Sequence, residues 1–95
     1  MPHATINGAS LYYETHGDGP PVILHHGYTG SHVNWEPVVP LLKGDYRTIL
    51  MDCRGAGDSE HTEGGYNIEQ YAADVVGVAD YLGLGQFTFV GHSMG

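Results

Sequence analysis

The five residues Gly91-His92-Ser93-Met94-Gly95 constrain this chain more than any other stretch. They follow an apolar run, Phe87-Thr88-Phe89-Val90, of the kind that forms a strand covered on both faces. Gly-x-Ser-x-Gly at the end of such a strand predicts a sharp turn from strand into helix, with the serine hydroxyl standing alone above the sheet. The flanking glycines serve that turn, because a Cβ at either position would collide with the neighbouring strand and helix. A lone hydroxyl on a strained turn is placed to attack, not to pack.

Two further runs repeat the buried-strand signature, Val22-Ile23-Leu24-His25 and Thr48-Ile49-Leu50-Met51. Helical segments separate the three, which implies parallel βαβ units with right-handed crossovers. The first crossover carries Trp35, Val38, Val39 and Leu42 at i, i+3, i+4, i+7, with Asn34 as the expected N-cap. Pro37 fits a first turn, whereas Pro40 should kink or shorten the helix. The second helix is predicted to start at Asn67, with Gln70 at the N3 position of a capping box. Its apolar stripe reads Ile68, Tyr71, Ala72, Val75, Val76, Ala79 and Leu82, and Gly83-Leu84-Gly85 supplies a left-handed C-cap. Ahead of these units, Ala4–Asn7 and Ser10–Thr15 read as strands joined at Asn7-Gly8, a strong hairpin signal, and His16–Pro20 is a turn.

Composition narrows the function. Three basic residues against eleven acidic ones give a net charge of −8, with no basic stripe to neutralise phosphates, so nucleic acid and anionic membranes are not expected partners. No apolar stretch approaches the roughly 20 residues that span a bilayer, and no basic-then-apolar leader opens the chain. Those features and the single cysteine, Cys53, fit a cytoplasmic protein without an internal disulfide. Neither a repeat nor a linker breaks residues 1–95, which read as one partial domain.

Four motifs stand in order: His26-Gly27 after the third strand, Asp52-Cys53-Arg54-Gly55-Ala56-Gly57-Asp58-Ser59 after the fourth, Asp74 in a helix ending Leu82-Gly83, and Gly91 to Gly95. Together they resemble the N-terminal part of the α/β-hydrolase fold, in the branch with small esterases, lactonases, perhydrolases, carbon–carbon bond hydrolases and proline iminopeptidases. The resemblance covers nearly the whole chain. It implies a three-layer α/β/α architecture, truncated at the fifth strand of a sheet ordered 1-2-4-3-5-6-7-8. It also implies that Ser93 is the nucleophile of an elbow whose glycines are Gly91 and Gly95. The backbone N–H groups of Met94 and Tyr28 would form the oxyanion hole, and His26, Gly27, Asp52 and Arg54 would be structural. Serine at this position points away from haloalkane dehalogenases and epoxide hydrolases, which resemble the pattern but carry aspartate there.

The expected reaction is hydrolysis of a small ester, lactone or amide, without cofactor or metal. In the family the acid and histidine follow the nucleophile in chain order, and neither is present in this sequence. A serine without its base is a poor nucleophile. A competing reading is therefore a non-catalytic module that self-associates, or meets a complementing chain, through the exposed edge of the fifth strand. Other assignments are weaker. His25, His26 and His32 match no zinc-ligand spacing, and His92 adjoins Ser93 on a turn that points neighbours apart. Gly55-Ala56-Gly57 lacks the third glycine of a phosphate loop, since position 60 is Glu60. Cys53 is expected to be a small, semi-buried apolar residue.

Overall fold

The computed structural model describes residues 3–27, 30–42, 44–62, 64 and 66–91. Strands β1 (His3–Ile6) and β2 (Ala9–His16) form an antiparallel hairpin. Asn7 and Gly8 both take positive φ, 50° and 82°, which gives a two-residue turn whose twist matches that of the strands. β2 continues antiparallel onto β4 (Arg47–Met51), while β3 (Pro21–His25) runs parallel to β4 and to β5 (Thr88–Gly91). The sheet order is β1-β2-β4-β3-β5, as the resemblance implies for the first five strands.

Helices cover both faces of the sheet. On one, α2 (Ile68–Tyr81) lays Val75, Val78 and Ala79 against Ala4, Ile6, Leu11, Ile23, Ile49 and Met51. On the other, Val39, Trp35 and Val38 cover Val22, Leu24 and Leu50. β3 and β4 are thus buried on both sides, which explains their unbroken apolar sequence. Gly77 allows the close approach of α2 to β1, because a Cβ there would strike the Ile6 side chain.

The first crossover differs from the sequence expectation. Its cap is Ser31, not Asn34: the extended Ser31 accepts the Val33 N–H, and the Asn34 side chain accepts the Ser31 N–H at 3.0 Å, closing a capping box. The chain then winds as a 3-10 helix, His32–Val38, before a short helix α1 (Val39–Leu42). Pro37 lies inside the 3-10 segment and Pro40 in the first turn of α1, so neither removes an interior α-helical hydrogen bond.

Asn67 does cap α2, its side chain accepting the Gln70 N–H at 2.8 Å. The reciprocal half of that box is not made, because the Gln70 amide turns to Asp74 instead. The buried face is also rotated from the expected stripe: Ile68 and Val76 are 62% and 54% exposed, and Val78 takes the core position. A buried acid, Asp74, fixes that rotation from within the face. At the other end Gly83 adopts φ 73°, with Leu84 N–H bonded to Ala79 and Gly83 N–H to Asp80, a Schellman stop.

Candidate functional site

Three chain segments converge at the carboxyl ends of β3 and β4. The loop after β3 begins at His26, the loop after β4 begins at Asp52, and the start of α2 brings Tyr66 and Tyr71. Between them lies a cavity of about 580 Å³, lined among others by His26, Gly27, Gly30, Arg54 and Gly55. β5 delivers Gly91 to the same edge, paired in register with His25. Parallel strands place their following loops on one rim, so this is where a sheet of this kind carries a site.

His26 ties the two loops. Its Nδ1 donates to the Gly27 carbonyl at 2.7 Å and its Nε2 accepts the Cys53 N–H at 3.1 Å. With both ring nitrogens occupied, and one of them accepting, the ring is the neutral Nδ1–H tautomer. His25 stacks on it, ring centroids 5.2 Å apart, and donates Nδ1–H to the His26 carbonyl. Burial pushes the His25 pKa below its ordinary value.

Asp52 is fully buried and its carboxylate gathers three donors. The His32 N–H reaches it at 2.5 Å, the His32 Nδ1 at 2.8 Å and the Asp58 N–H at 2.8 Å. Gly57 sits against the same carboxylate, leaving no room for a Cβ. The other edge of His32 faces Glu14, with Nε2 3.3 Å from Oε2, and its ring lies 4.7 Å from that of Tyr12. Burial alone would raise the Glu14 carboxyl. Hydrogen bonds from the Tyr12 hydroxyl and His16, with His32 close by, hold it below the usual range instead.

His32, Asp52 and Asp58 place ligand atoms within 4.8 Å of one another. The Asp52 oxygens are already spent on N–H donors, so the group is a hydrogen-bonded anchor rather than a metal centre. Nor is a histidine zinc set gathered among the described residues, since His25 and His26 bond to carbonyls and His32 turns to Asp52.

Arg54 and Asp52 do not pair. Arg54 turns beneath its loop to Asp74 on α2, donating Nε–H at 2.8 Å and Nη2–H at 2.9 Å. Cys53 is buried and its thiol is pushed up to about 11, chiefly by burial and then by Asp52, so it is no nucleophile. Gly55 and Gly57 take positive φ in a tight turn rather than a phosphate cradle. Ser93, Met94, Gly95 and Tyr28, together with His92, lie outside the described residues.

Sequence reasoning located His26, Asp52, Arg54 and Asp74 but not the partners that fix them. His32, Glu14 and Tyr12 were missed because they come from separate strands and loops. The one available signal was a histidine directly after a Ser cap, at the exit of the loop that follows β3.

The rim, the sheet order and the helices on both faces define an α/β hydrolase. A family model described as alpha/beta hydrolase fold matches residues 20–95, and the chain belongs to that family. It is 37% identical over 97 residues to a non-heme haloperoxidase of Rhodococcus erythropolis, covering all of this chain and 35% of that protein. It is also 37% identical over 92 residues to a soluble epoxide hydrolase of Corynebacterium sp. (strain C12), covering 97% of this chain and 32% of the relative. Among solved structures, the enol-lactonase from Burkholderia xenovorans superposes with a TM-score of 0.94 at 35% identity, covering 98% of this chain and 37% of that one. The chain thus spans about a third of the length of the relatives it matches. Among the described residues no helix is long and apolar enough to cross a membrane.

Proposed function

We propose that this chain contributes the nucleophile and oxyanion side of a serine hydrolase acting on small esters, lactones or amides. The observation that carries the reading is the place of Gly91: the last residue of β5 reaches the rim where the loops after β3 and β4 enclose the cavity, and in the sequence it opens the motif Gly91-His92-Ser93-Met94-Gly95. Ser93 Oγ attacks the carbonyl carbon, and the N–H groups of Tyr28 and Met94 receive the developing oxyanion. The histidine that takes the serine proton and the acid that orients it come from residues outside these 95. His25 and His26 are not that base, because their ring nitrogens serve the loops or are buried. The relatives named an enol-lactonase and an esterase/perhydrolase support an acyl substrate. Relatives named epoxide hydrolases mark the rival chemistry, from which serine in place of aspartate at position 93 separates this chain.

A fluorophosphonate probe tests this directly. Ser93 is expected to take the label in the full-length protein, and Ser93→Ala to lose both the label and hydrolysis of p-nitrophenyl acetate. Turnover of styrene oxide without ester hydrolysis would refute the acyl assignment.

A second reading rests on β5. All four of its residues are exposed, Phe89 by 42% and Val90 by 38%, and among the described residues it pairs only with β3. Such an edge can add a strand from a second copy. Light scattering of the 95-residue chain separates the readings: a 10.2 kDa monomer excludes self-association.

A further inference from the structure

The loop that leaves β3 is fastened at both ends to two consecutive residues beyond β4. At its entrance His26 Nε2 accepts the Cys53 N–H at 3.1 Å. At its exit His32 gives the Asp52 carboxylate both its own N–H and its Nδ1–H. Between the two anchors the Gly30 N–H bonds to the Gly27 carbonyl at 3.0 Å, tightening the turn. The exit anchor is the more elaborate of the two. His32 is 7% exposed and Asp52 fully buried, and the ring is confined by Tyr12 on one face and Glu14 at its far edge. Rotation of the ring would leave the Asp52 carboxylate short of a donor in a site without water access, which costs more than an ordinary surface hydrogen bond.

We propose that His32 is a positioning residue of the reaction: through Asp52 it sets where the loop of residues 27–31 presents its backbone N–H groups to the oxyanion. This rests on the serine-hydrolase reading, in which Tyr28 supplies one of those donors. His32 does not touch the substrate. It holds the exit of the loop, as His26 holds its entrance, at a fixed separation from the residues that follow β4. An oxyanion donor acts through placement, and losing one outright costs on the order of 10²–10³ in kcat. Loosening its loop costs part of that.

The test compares His32→Ala with His32→Asn in the full-length protein. The asparagine amide nitrogen can stand where Nδ1 stands and keep the bond to Asp52. Active sites are counted by fluorophosphonate titration, and kcat on p-nitrophenyl acetate is expressed per titrated site. His32→Ala is expected to lower kcat per site about tenfold with KM changed less than twofold. It should also speed amide exchange within residues 27–31, and His32→Asn should restore both. A purely structural His32 would lower the melting temperature and the number of titrated sites but leave kcat per site unchanged, and that result overturns the proposal. Unchanged exchange in residues 27–31 overturns it as well. A wild-type protein that takes no label refutes the serine-hydrolase reading instead, and with it the positioning role.

Discussion

Arg54 and Asp74 form a two-point ion pair beneath the loop after β4, Nε to Oδ2 at 2.8 Å and Nη2 to Oδ1 at 2.9 Å. Asp74 is fully buried and also accepts from the Asn7 amide and the Gln70 amide, each at 3.0 Å. One carboxylate therefore joins the β1–β2 turn, the helix α2 and the loop that lines the cavity. Removing one partner of such a pair strands the other without compensation. Asp74→Leu is expected to cost about 3–5 kcal/mol. Arg54→Met/Asp74→Leu should cost clearly less than the sum of the two single changes, because neither charge is then stranded. Urea unfolding of the four proteins measures this, and additive losses would show that the pair does not act as a unit.

Gly57 and Gly83 both require positive φ, 51° and 73°, but for different surroundings. Gly83 has open space where a Cβ would go, so Gly83→Ala carries only the left-handed backbone strain, about 1–2 kcal/mol. At Gly57 a Cβ would meet the Asp52 carboxylate, which cannot withdraw without releasing His32 and Asp58. Gly57→Ala is expected to lower the urea midpoint more than Gly83→Ala does. Equal shifts would mean that the Asp52 anchor yields easily.

What could be read from the sequence follows the range of the forces involved. The parallel strands and the hairpin were legible because β3, β4 and β5 are short apolar runs and because Asn7-Gly8 demands a tight turn, whereas the strand order and the three layers came only with the resemblance to the α/β-hydrolase fold. The Gly83 stop was legible for the same local reason. The cap at Ser31 was not: Ser31 and Asn34 are both good capping residues, and only their mutual hydrogen bonds decide between them. The face of α2 was misread by one position in its turn because a buried Asp74 is invisible to an apolar stripe. His32 is the largest omission. Its partners Asp52, Glu14 and Tyr12 are 20, 18 and 20 residues away along the chain, and its one local mark, its place directly after the Ser31 cap, says nothing of them.

Cys53 gives a pH-dependent prediction. Its thiol is pushed up to about 11 from an ordinary value near 9, first by burial and then by the adjoining Asp52. The folded state thus holds the thiol proton more tightly than the unfolded state does. That contribution is complete below the unfolded value and is lost as pH rises from about 9 to about 11. Stability against urea should fall across that window in the wild type and fall less in Cys53→Ala. At pH 8 the thiol should react with Ellman's reagent only on unfolding. Rapid labelling of the folded protein would contradict the burial.

Glu14 gives the opposite sign. Its carboxyl is held below the usual range by the Tyr12 hydroxyl, at 2.5 Å, and by His16 at 2.9 Å, against the burial that would raise it. The folded state therefore favours the carboxylate. The stabilisation is present above the ordinary carboxylate range and is lost as pH falls through the lowered folded value. Tyr12→Phe removes the hydroxyl but leaves the ring against His32, so it isolates this bond from the packing. The variant is expected to lose about 1–3 kcal/mol near pH 7, the worth of a hydrogen bond to a charged group, and to show a shallower acid transition than the wild type. Denaturant melts taken from pH 7 down to pH 3 decide it: parallel stability curves for the two proteins would mean that the Tyr12–Glu14 bond does not hold the carboxylate.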